Sequence, residues 1–308
     1  MIKHFLSITD FTPTEILRVL DMSLKIKKSP RKFAKVLSGK TLAMIFEKPS
    51  LRTRVSFEVA MTQLGGHAIY LAPADIGLGV REPIKDVSRV LSRMVDIVMA
   101  RTFKHETIAE LAKYSGVPVI NALSDLEHPC QIMADLLTIK EKKQELKGIN
   151  LTFLGDGENN VTHSLALASA LLGIDFTVAA PKGFWMSRQV SKKAKLLARK
   201  YRSVITETDK VDDAINNADV VYTDTWISMG DEKEKEKRLK IFKKYRVDLK
   251  LMSLAKKDAI FMHDMPAYRG NEVASDVIDG KQSVVIDQAE NRLHAQKALI
   301  CHLLGVKV

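Results

Sequence analysis

Short apolar runs alternate along the chain with segments whose apolar residues recur every three or four positions. Runs with the length and composition of buried strands lie at 41–46, 67–71, 96–101, 117–121, 149–155, 175–181, 203–208, 219–226, 259–266 and 283–288. Helical periodicity covers a segment that begins after Thr12 and the segments 52–64, 84–95, 106–115, 129–147, 161–172, 187–201 and 290–304. Strands that alternate with helices predict parallel sheets whose strands are connected by crossover helices.

The length of 308 residues is typical of about two domains. The helical stretch 129–147 changes from apolar to highly charged near its middle and separates two series of strands. We therefore predict an α/β fold of two doubly wound parallel-sheet domains joined by interdomain helices, with limits at 1–137 and 138–308. The last helix, 290–304, is expected to pack back on the first domain.

The charge balance leaves two interpretations open. The chain has 48 Lys and Arg residues against 37 Asp and Glu residues, which gives a formal net charge of +11. Nucleic-acid binding is one interpretation. A lysine-rich surface is the other, and we favour it because the basic residues are spread along the chain without interleaved aromatic residues. The charged run at 231–240 is expected to form a solvated helix or a mobile loop.

The sequence shows no pattern typical of a membrane span, a signal peptide or a cysteine metal site, which bears on the expected compartment and cofactors. It has no apolar run of the roughly 18 residues that span a membrane, and its first residues have no apolar segment of signal-peptide length. Cys130 and Cys301 lie far apart, and neither shows metal-ligand spacing, so a reduced compartment fits better than a disulfide framework. We expect a cytoplasmic protein with no membrane or nucleic-acid partner, no metal and no cofactor.

The segment FEKPSLRTRVSFEVA (46–60) places arginines and hydroxyls where a buried strand leads into a helix. Helix N-termini carry unpaired N–H groups and partial positive charge, and therefore bind phosphate. Ser50 and Thr53 would add hydroxyl donors, and Arg52 and Arg54 would add permanently charged donors. The alternative is a surface helix start with scattered arginines. The chain lacks GxxxxGK[ST], which argues against a nucleotide P-loop.

The turn GDGENN (155–160) lies between a strand and a helix, as the turns of dinucleotide sites do. Its spacing is not GxGxxG, and the next strand ends at Pro181 without the acidic residue that binds ribose. These two departures argue against a nicotinamide cofactor.

With its flanks, SLRTR resembles the Ser-Thr-Arg-Thr-Arg carbamoyl-phosphate motif of the aspartate and ornithine carbamoyltransferases. Five more motifs follow in the family's order: MARTF (99–103), HPCQ (128–131), GDGENN (155–160), DTWISMG (224–230) and AENRLHAQKA (289–298). The resemblance covers about residues 2–305, and DTWISMG looks like the ornithine branch. It implies that the first domain binds carbamoyl phosphate and the second binds the amino acid.

The resemblance also implies roles for individual residues. Those implied in carbamoyl-phosphate binding are Ser50, Leu51, Arg52, Thr53, Arg54, Arg101, His128, Gln131 and Arg292. Those implied in ornithine binding are Asn160, Asp224, Ser228 and Met229. The reaction adds an amine to a carbamoyl group and expels phosphate, so negative charge builds on the carbamoyl oxygen. Arg101, His128 and Thr53 are expected to stabilise that charge as an oxyanion hole does, without a covalent intermediate. Gln131 is expected to hold the carbamoyl NH2.

Two departures from the family concern the phosphate side of the reaction. Leu51 stands where the family usually has threonine, which removes one hydroxyl donor. Gly77 stands where relatives commonly have a glutamine or histidine that reaches carbamoyl phosphate. Arg81 is a candidate to compensate, from a neighbouring subunit, because the resemblance implies a homotrimer with shared sites.

The third departure concerns the amine. The family's ornithine branch usually reads His-Cys-Leu-Pro where this chain has His263, Asp264, Met265 and Pro266. The amine of ornithine has a pKa near 10.4, so its proton needs an acceptor. Asp264 is a candidate acceptor or ion-pair partner, with its pKa raised by burial or by Asp224. Two alternatives stay open: Asp264 faces water, or the second substrate is a different amine.

We therefore expect a carbamoyltransferase that makes L-citrulline and phosphate from carbamoyl phosphate and L-ornithine, as a step of arginine biosynthesis. The expected catalytic residues are Arg101, His128 and Asp264. One alternative is a carbamoyltransferase for putrescine or an N-acylated ornithine. Another is a catalytically weak paralogue, because positions 51, 77 and 264 all depart from the family pattern.

Overall fold

The structure is a computed structural model that describes residues 2–227 and 232–308. The chain divides into two compact units, and each is described by itself. The first unit contains Met1–Leu137 and Glu290–Val308, and the second contains Thr138–Ala289. Both boundaries fall inside helices, at Leu137 and at Ala289.

The first unit has a parallel sheet in the order β2-β1-β3-β4. Its strands are β1 (Thr41–Phe46), β2 (His67–Leu71), β3 (Ile97–Arg101) and β4 (Val119–Leu123). Its helices are α1 (Pro13–Lys28), α2 (Leu51–Gln63), α3 (Pro73–Ile76), α4 (Ile84–Leu91), α5 (His105–Tyr114) and the first part of α6 (Pro129–Lys143). Residues 42–46 of β1 form a continuous apolar run because β1 is buried as a central strand, whereas β2 at the sheet edge is half-exposed.

The second unit has a parallel sheet in the order β7-β6-β5-β8-β9. Its strands are β5 (Asn150–Leu154), β6 (Asp175–Ala179), β7 (Ile205–Thr208), β8 (Val220–Thr223) and β9 (Ile260–Met262). Its helices are α7 (Asn160–Leu172), α8 (Arg188–Tyr201), α9 (Val211–Ile215), α10 (Lys235–Phe242), α11 (Leu249–Met252), α12 (Ser275–Ile278) and the first turn of α13 (Val285–Leu303). Short 3-10 helices lie at Ile8–Asp10, Pro30–Phe33, Glu232–Glu234 and Lys243–Tyr245. The predicted fold class, two α/β domains with parallel sheets, is confirmed.

The strand orders locate the edges at which ligands bind in such sheets. In the first unit the chain moves outward on one side from β1 to β2, and on the other from β3 to β4, so the switch point lies between β1 and β3. In the second unit the corresponding point lies between β5 and β8. Ligands of open α/β sheets bind outside the carboxyl ends of the strands at this point. The segments that follow these four strands are therefore the first place to look for a site.

Two predicted elements differ from the structure. The strand predicted at 283–288 is wrong, because helix α13 begins at Val285 and Ser283 makes only an isolated bridge to Phe261. The β-branched run Val284, Val285 and Ile286 has the composition of a strand, but it leads into helix α13. Both valines are buried there, and Ile286 is exposed. Residue 231 of the charged run at 231–240 lies outside the described residues, and the described part is helical but not wholly solvated, since Arg238 within it is buried.

Helix α13 is the longest helix of the described residues, and its C-terminal part belongs to the first unit. There Lys27 donates a hydrogen bond of 2.8 Å to Asn291 Oδ1, and the buried Lys297 donates to Gln63 Oε1. The polar Asn291 and the charged Lys297 therefore interrupt the apolar surface of α13. Among residues 2–227 and 232–308, we find no helix that is both long and apolar enough to cross a membrane.

Candidate active site

Helix α2 begins directly after β1 with a serine cap. The Oγ atom of Ser50 accepts a hydrogen bond from the Thr53 N–H at 3.4 Å and donates one to Thr53 Oγ1 at 3.1 Å. Thr53 is fully buried, and its Oγ1 also accepts a hydrogen bond of 2.9 Å from Nη2 of Arg292. The fold thus brings three predicted site residues, Ser50, Thr53 and Arg292, into one group, which we call the Thr53 cluster. The first turn of α2 carries no acidic residue, so the positive end of its dipole is not neutralised there.

The other residues of the SLRTR motif are more exposed. Arg54 donates to Glu58 Oε2 at 3.3 Å, and its guanidinium lies 4.1 Å from the centroid of the Tyr70 ring. An exposed ion pair of this kind is worth at most about 1 kcal/mol, so Arg54 can exchange Glu58 for a phosphate oxygen at small cost. Arg52 is partly buried. Leu51 is 76% exposed, so an aliphatic side chain stands at the start of the helix where a hydroxyl is usual in relatives.

Arg101 and His128 are both buried at the carboxyl edge of the same sheet. Arg101 is the last residue of β3 and pairs in register with Phe46 at the end of β1. His128 follows β4 and directly precedes α6, where its carbonyl accepts a hydrogen bond of 3.0 Å from the Gln131 N–H. Because β1 lies next to β3 and β3 next to β4, both side chains start from the edge at which the Thr53 cluster lies.

Gln131 is fully buried in the first turn of α6. Its Nε2 donates a hydrogen bond of 2.9 Å to Asp135 Oδ1, whereas its Oε1 has no hydrogen-bond partner among the described residues. Leaving a buried acceptor unpaired costs about 1–3 kcal/mol. A ligand that brings an N–H donor would remove this cost, and the carbamoyl NH2 is such a donor.

The loop with Gly77 explains one departure from the family. Gly77 ends α3 with a left-handed φ of 52°, and a Cβ atom at this position would lie 2.8 Å from the Cβ of Arg81. The glutamine or histidine of relatives would therefore be strained in this conformation. The Arg81 N–H donates a hydrogen bond of 2.8 Å to the Gly77 carbonyl, and its side chain is exposed.

In the second unit, an asparagine and an aspartate join the segments that follow β5 and β8. Asn159 caps α7, because its Oδ1 accepts a hydrogen bond of 2.6 Å from the Val161 N–H. Its Nδ2 donates a hydrogen bond of 2.6 Å to Oδ2 of Asp224, while Asp224 Oδ1 accepts one of 2.6 Å from the Thr225 N–H. Both side chains are buried. The predicted ligand Asn160 is the next residue, at the first position of α7, and it is half-buried.

Asp224 lies in a group of titratable side chains with His263 and Asp264, which we call the Asp224 cluster. One ligand atom from each of the three lies within 4.8 Å of the others, and the Asp264 side chain is 15% exposed. Burial raises the pKa of Asp224 well above 3.8, and the charge and hydrogen bond of Asp264 raise it further. The positive charge of an ammonium group bound beside them would offset the repulsion between these two neighbouring carboxylates.

His263 is completely buried and held on several sides. Its ring Nε2 lies 3.2 Å from Oε1 of the buried Glu272, and its ring Nδ1 lies 3.5 Å from Asp264 Oδ1. Its backbone N–H donates a hydrogen bond of 2.9 Å to Gln288 Oε1. Burial lowers the pKa of His263, but the hydrogen bonds to Asp264 and Glu272 and the charge of Asp224 outweigh it and raise the pKa to about 9. In the neutral ring, Nδ1 accepts the Met265 N–H at 2.9 Å.

One imidazole and two carboxylates are also a donor set that divalent cations accept. In the Asp224 cluster, however, Glu272 engages Nε2 of His263 and the Met265 N–H engages Nδ1. Hydrogen bonds within the second unit therefore already engage both ring nitrogens, which argues against a cation bound by this ring.

Comparison with known proteins adds the family. Residues 3–141 match the carbamoyl-P binding domain of aspartate/ornithine carbamoyltransferase, and residues 147–303 match its Asp/Orn binding domain. The chain belongs to the aspartate/ornithine carbamoyltransferase family. It is 50% identical to the ornithine carbamoyltransferase of Methanocaldococcus jannaschii over 297 residues, which cover 96% of this chain and 97% of the relative.

Two solved structures are similar along almost the whole chain. Ornithine carbamoyltransferase from Pyrococcus furiosus has a TM-score of 0.95 and 49% identity, covering 98% of this chain and 97% of that chain. N-acetyl-L-ornithine transcarbamylase, solved as a point mutant complexed with PALAO, has a TM-score of 0.89 and 30% identity, covering 98% of this chain and 100% of that chain. The family resemblance inferred from the motifs is therefore confirmed.

Several residues of the carbamoyltransferase site were missed by sequence reasoning or remain outside the structure. The predicted ornithine ligands Ser228 and Met229 lie outside the described residues. Asn159, to which the sequence analysis gave no role, bonds to Asp224, and the predicted ligand Asn160 is the next residue. The contact between His263 and Glu272 was also missed, because it spans nine residues of irregular chain. Met265 adopts φ 60° beside these residues.

Proposed function

We propose that this chain transfers the carbamoyl group of carbamoyl phosphate to the side-chain amine of L-ornithine, giving L-citrulline and phosphate. The observation that carries the proposal is the presence of two clusters in one chain. The Thr53 cluster lies at the sheet edge of the first unit, and the Asp224 cluster lies at the sheet edge of the second. The similarity to ornithine carbamoyltransferases over nearly the full chain supports the choice of substrates.

In the proposed reaction, the first unit holds carbamoyl phosphate. Ser50, Arg52, Arg54 and the N–H groups at the start of α2 bind the phosphate. Gln131 Oε1 accepts a hydrogen bond from the carbamoyl NH2. When the amine attacks, the carbonyl oxygen becomes negatively charged, and donors from Arg101 and His128 stabilise it. The C–O bond to phosphate then breaks, and phosphate leaves with the electron pair and takes up the second proton that the attacking nitrogen must lose.

The proposed role of the second unit is to orient the amine and accept its proton. Asp224 pairs with the α-ammonium group of ornithine, and Asn159 fixes the orientation of that carboxylate by the 2.6 Å hydrogen bond to Oδ2. Asn160 binds the α-carboxylate. The side-chain amine arrives protonated at neutral pH, and Asp264 accepts that proton. Its mostly buried position beside Asp224 and His263 favours this role over a carboxylate that faces water.

The test is a citrulline assay on the full chain with carbamoyl phosphate and L-ornithine, from pH 6 to pH 10. Putrescine and N-acetyl-L-ornithine are assayed in parallel. Turnover with ornithine supports the proposal. Turnover with a different amine alone would retain the family chemistry and reject ornithine, whereas carbamoyl phosphate binding without any turnover would identify a weak paralogue.

Another amine is the second candidate, and one observation favours it. Asp264 stands where the ornithine branch usually has cysteine, and it adds a second carboxylate next to Asp224. The similarity to N-acetyl-L-ornithine transcarbamylase shows that another amine substrate occurs among structures of this fold. A preference for an amine of higher net positive charge, such as a diamine without a carboxylate group, is the expectation that separates this candidate from the first.

We propose in addition that the protein is a homotrimer in the cytoplasm and serves arginine biosynthesis. Exposed apolar side chains of the first unit support an assembly: Val80 is 93% exposed, Leu51 76% and Met94 73%. The free thiols of Cys130 and Cys301 fit a reduced compartment. Light scattering during size-exclusion chromatography tests the trimer, and growth of an arginine auxotroph that expresses the chain tests the pathway.

A further inference from the structure

Helix α10 contains a buried arginine whose burial would not be expected from the charged residues around it in the sequence. Arg238 lies in the charged run at 231–240, yet only 5% of it is exposed. The neighbouring Lys237 has a side chain that is 67% exposed, as expected for a solvated helix. A buried guanidinium needs partners that compensate the loss of water, so its partners indicate what it does.

Arg238 uses different nitrogen atoms for two separate segments. Its Nη2 forms an ion pair with Oδ2 of Asp156, and both side chains are only 6% exposed. Its Nε donates a hydrogen bond of 2.6 Å to the carbonyl of Trp226. The guanidinium also lies 5.1 Å from the ring centroid of Phe184 and 5.3 Å from that of Phe242, and Phe242 stacks on Trp226.

Each partner belongs to a segment of the Asp224 cluster. Asp156 begins the turn that leads to Asn159 and Asn160, and its Oδ1 accepts a hydrogen bond of 3.0 Å from the Glu158 N–H. Trp226 lies two residues after Asp224. One guanidinium therefore connects the segment after β5 with the segment after β8, and these are the segments that the contact between Asn159 and Asp224 also joins.

We propose that Arg238 is a positioning residue for the amine substrate. It holds the turn with Asn159 and Asn160 at a fixed distance from Asp224. The side chains proposed to bind the amino acid therefore keep their relative positions. This inference rests on the proposed function. Lysine cannot replace it, because one ammonium group does not reach a carboxylate and a carbonyl in the fixed directions of a guanidinium.

The experiment compares Michaelis constants for the two substrates in the full-length protein. The variants are Arg238→Lys, Arg238→Met, Asp156→Asn and the double variant Arg238→Met with Asp156→Asn. We expect Arg238→Lys to raise the KM for ornithine about 10- to 100-fold, the range for misplacement of a binding group, and to change the KM for carbamoyl phosphate less than about twofold. The double variant removes both charges of the ion pair between Arg238 and Asp156 together, so it reports on positioning if Arg238→Met is unstable.

The matched control is Arg246→Met, which removes an exposed arginine whose Nη2 lies 3.9 Å from Asp248 Oδ2 in the same unit. It is expected to leave both KM values unchanged.

If Arg238→Lys and the double variant lower the melting temperature but leave the KM for ornithine unchanged, Arg238 is purely structural and the inference is wrong. Equal increases of both KM values would also overturn it. A wild-type chain that is inactive with ornithine rejects the proposed function instead, and if it accepts another amine, the same comparison is made with that amine.

Discussion

Nδ2 of Asn159 donates a hydrogen bond of 2.6 Å to Oδ2 of Asp224. The two residues follow β5 and β8, the adjacent strands at the switch point of the second sheet. Asn159 also caps helix α7 through its other side-chain atom, Oδ1. Its amide therefore couples the start of a helix to the orientation of a buried carboxyl group, whereas the neighbouring Asn160 lies one position inside the helix.

Replacement of Asn159 and of Asn160 should have different effects on stability. Asn159→Ala should lower the free energy of unfolding by about 1 kcal/mol through the lost cap, and raise the KM for ornithine because Asp224 loses its support. Asn160→Ala should raise the KM for ornithine with a much smaller change in stability. Urea unfolding and steady-state kinetics on both variants check this. An Asn160→Ala enzyme with an unchanged KM for ornithine would remove Asn160 from the proposed ligands.

Replacement of Asp264 tests the proton acceptor. Asp264→Asn removes a carboxylate without changing the size of the side chain, so we expect citrulline formation at pH 7 to fall by about 100-fold, as general-base loss commonly does. Activity should recover as the pH approaches the amine pKa of about 10.4, where deprotonated substrate becomes available. Asp264→Cys, which restores the residue usual in relatives, is the control and should retain activity. A pH profile of Asp264→Asn that matches the wild type would exclude the role.

His263 should make stability depend on pH. Its pKa of about 9 in the folded state exceeds the ordinary 6.5, so the folded protein binds its proton more tightly than the unfolded chain. The resulting stabilisation is fully present below pH 6.5 and is lost as the pH rises to about 9. The difference between the two pKa values is worth at most about 3 kcal/mol. The raised pKa of Asp224 acts with the same sign at lower pH.

Urea unfolding at a series of pH values between 6 and 9.5 measures this dependence. In Asp264→Asn the decline should be smaller, because one of the carboxylates that raise the pKa of His263 is gone. A wild-type free energy of unfolding that stays constant across this range would mean that His263 remains neutral, with Nδ1 accepting the Met265 N–H throughout.

Leu51→Thr should strengthen carbamoyl phosphate binding. Leu51 is the first residue of α2 and 76% exposed, so a hydroxyl there meets no steric obstacle and adds a donor beside the helix N-terminus. We expect a KM for carbamoyl phosphate about 3- to 10-fold lower, the effect of one additional hydrogen bond of about 1 kcal/mol. Val55→Thr, at an exposed position one turn further along the helix, is the control and should have no effect.

Much of the fold followed from the sequence because its strands are buried and its helices amphipathic. The central strand β1 could be predicted from the five apolar residues 42–46, since a strand buried on both faces is a nearly continuous apolar run. The segment 283–288 could not, because the same β-branched residues also occupy the first turn of a helix whose environment makes both valines buried. Tertiary packing decided between the two structures, and a local pattern does not contain that information.

The site was predictable where a motif carries the chemistry and not where a distant partner does. Ser50, Thr53 and Arg292 are in contact, although only the resemblance connected residues 239 positions apart. Arg238 was hidden in a lysine-rich run, because its burial depends on Asp156, 82 residues earlier. Gly77 was interpreted as the loss of a ligand, and its positive φ together with the nearby Cβ of Arg81 adds a reason for glycine that the sequence did not contain.

The presence of Asp264 in place of the usual cysteine also determines how the protein reacts with oxidants. Cys130 and Cys301, the two cysteines of the chain, are buried, and burial raises the pKa of each thiol to about 12. Thiolates are the species that react with peroxides and electrophiles, and at neutral pH these two thiols form almost none. Peroxide and alkylating agents should therefore leave the folded protein unmodified at sulfur in its cysteines, and its proposed chemistry becomes independent of the thiol redox state of the cell.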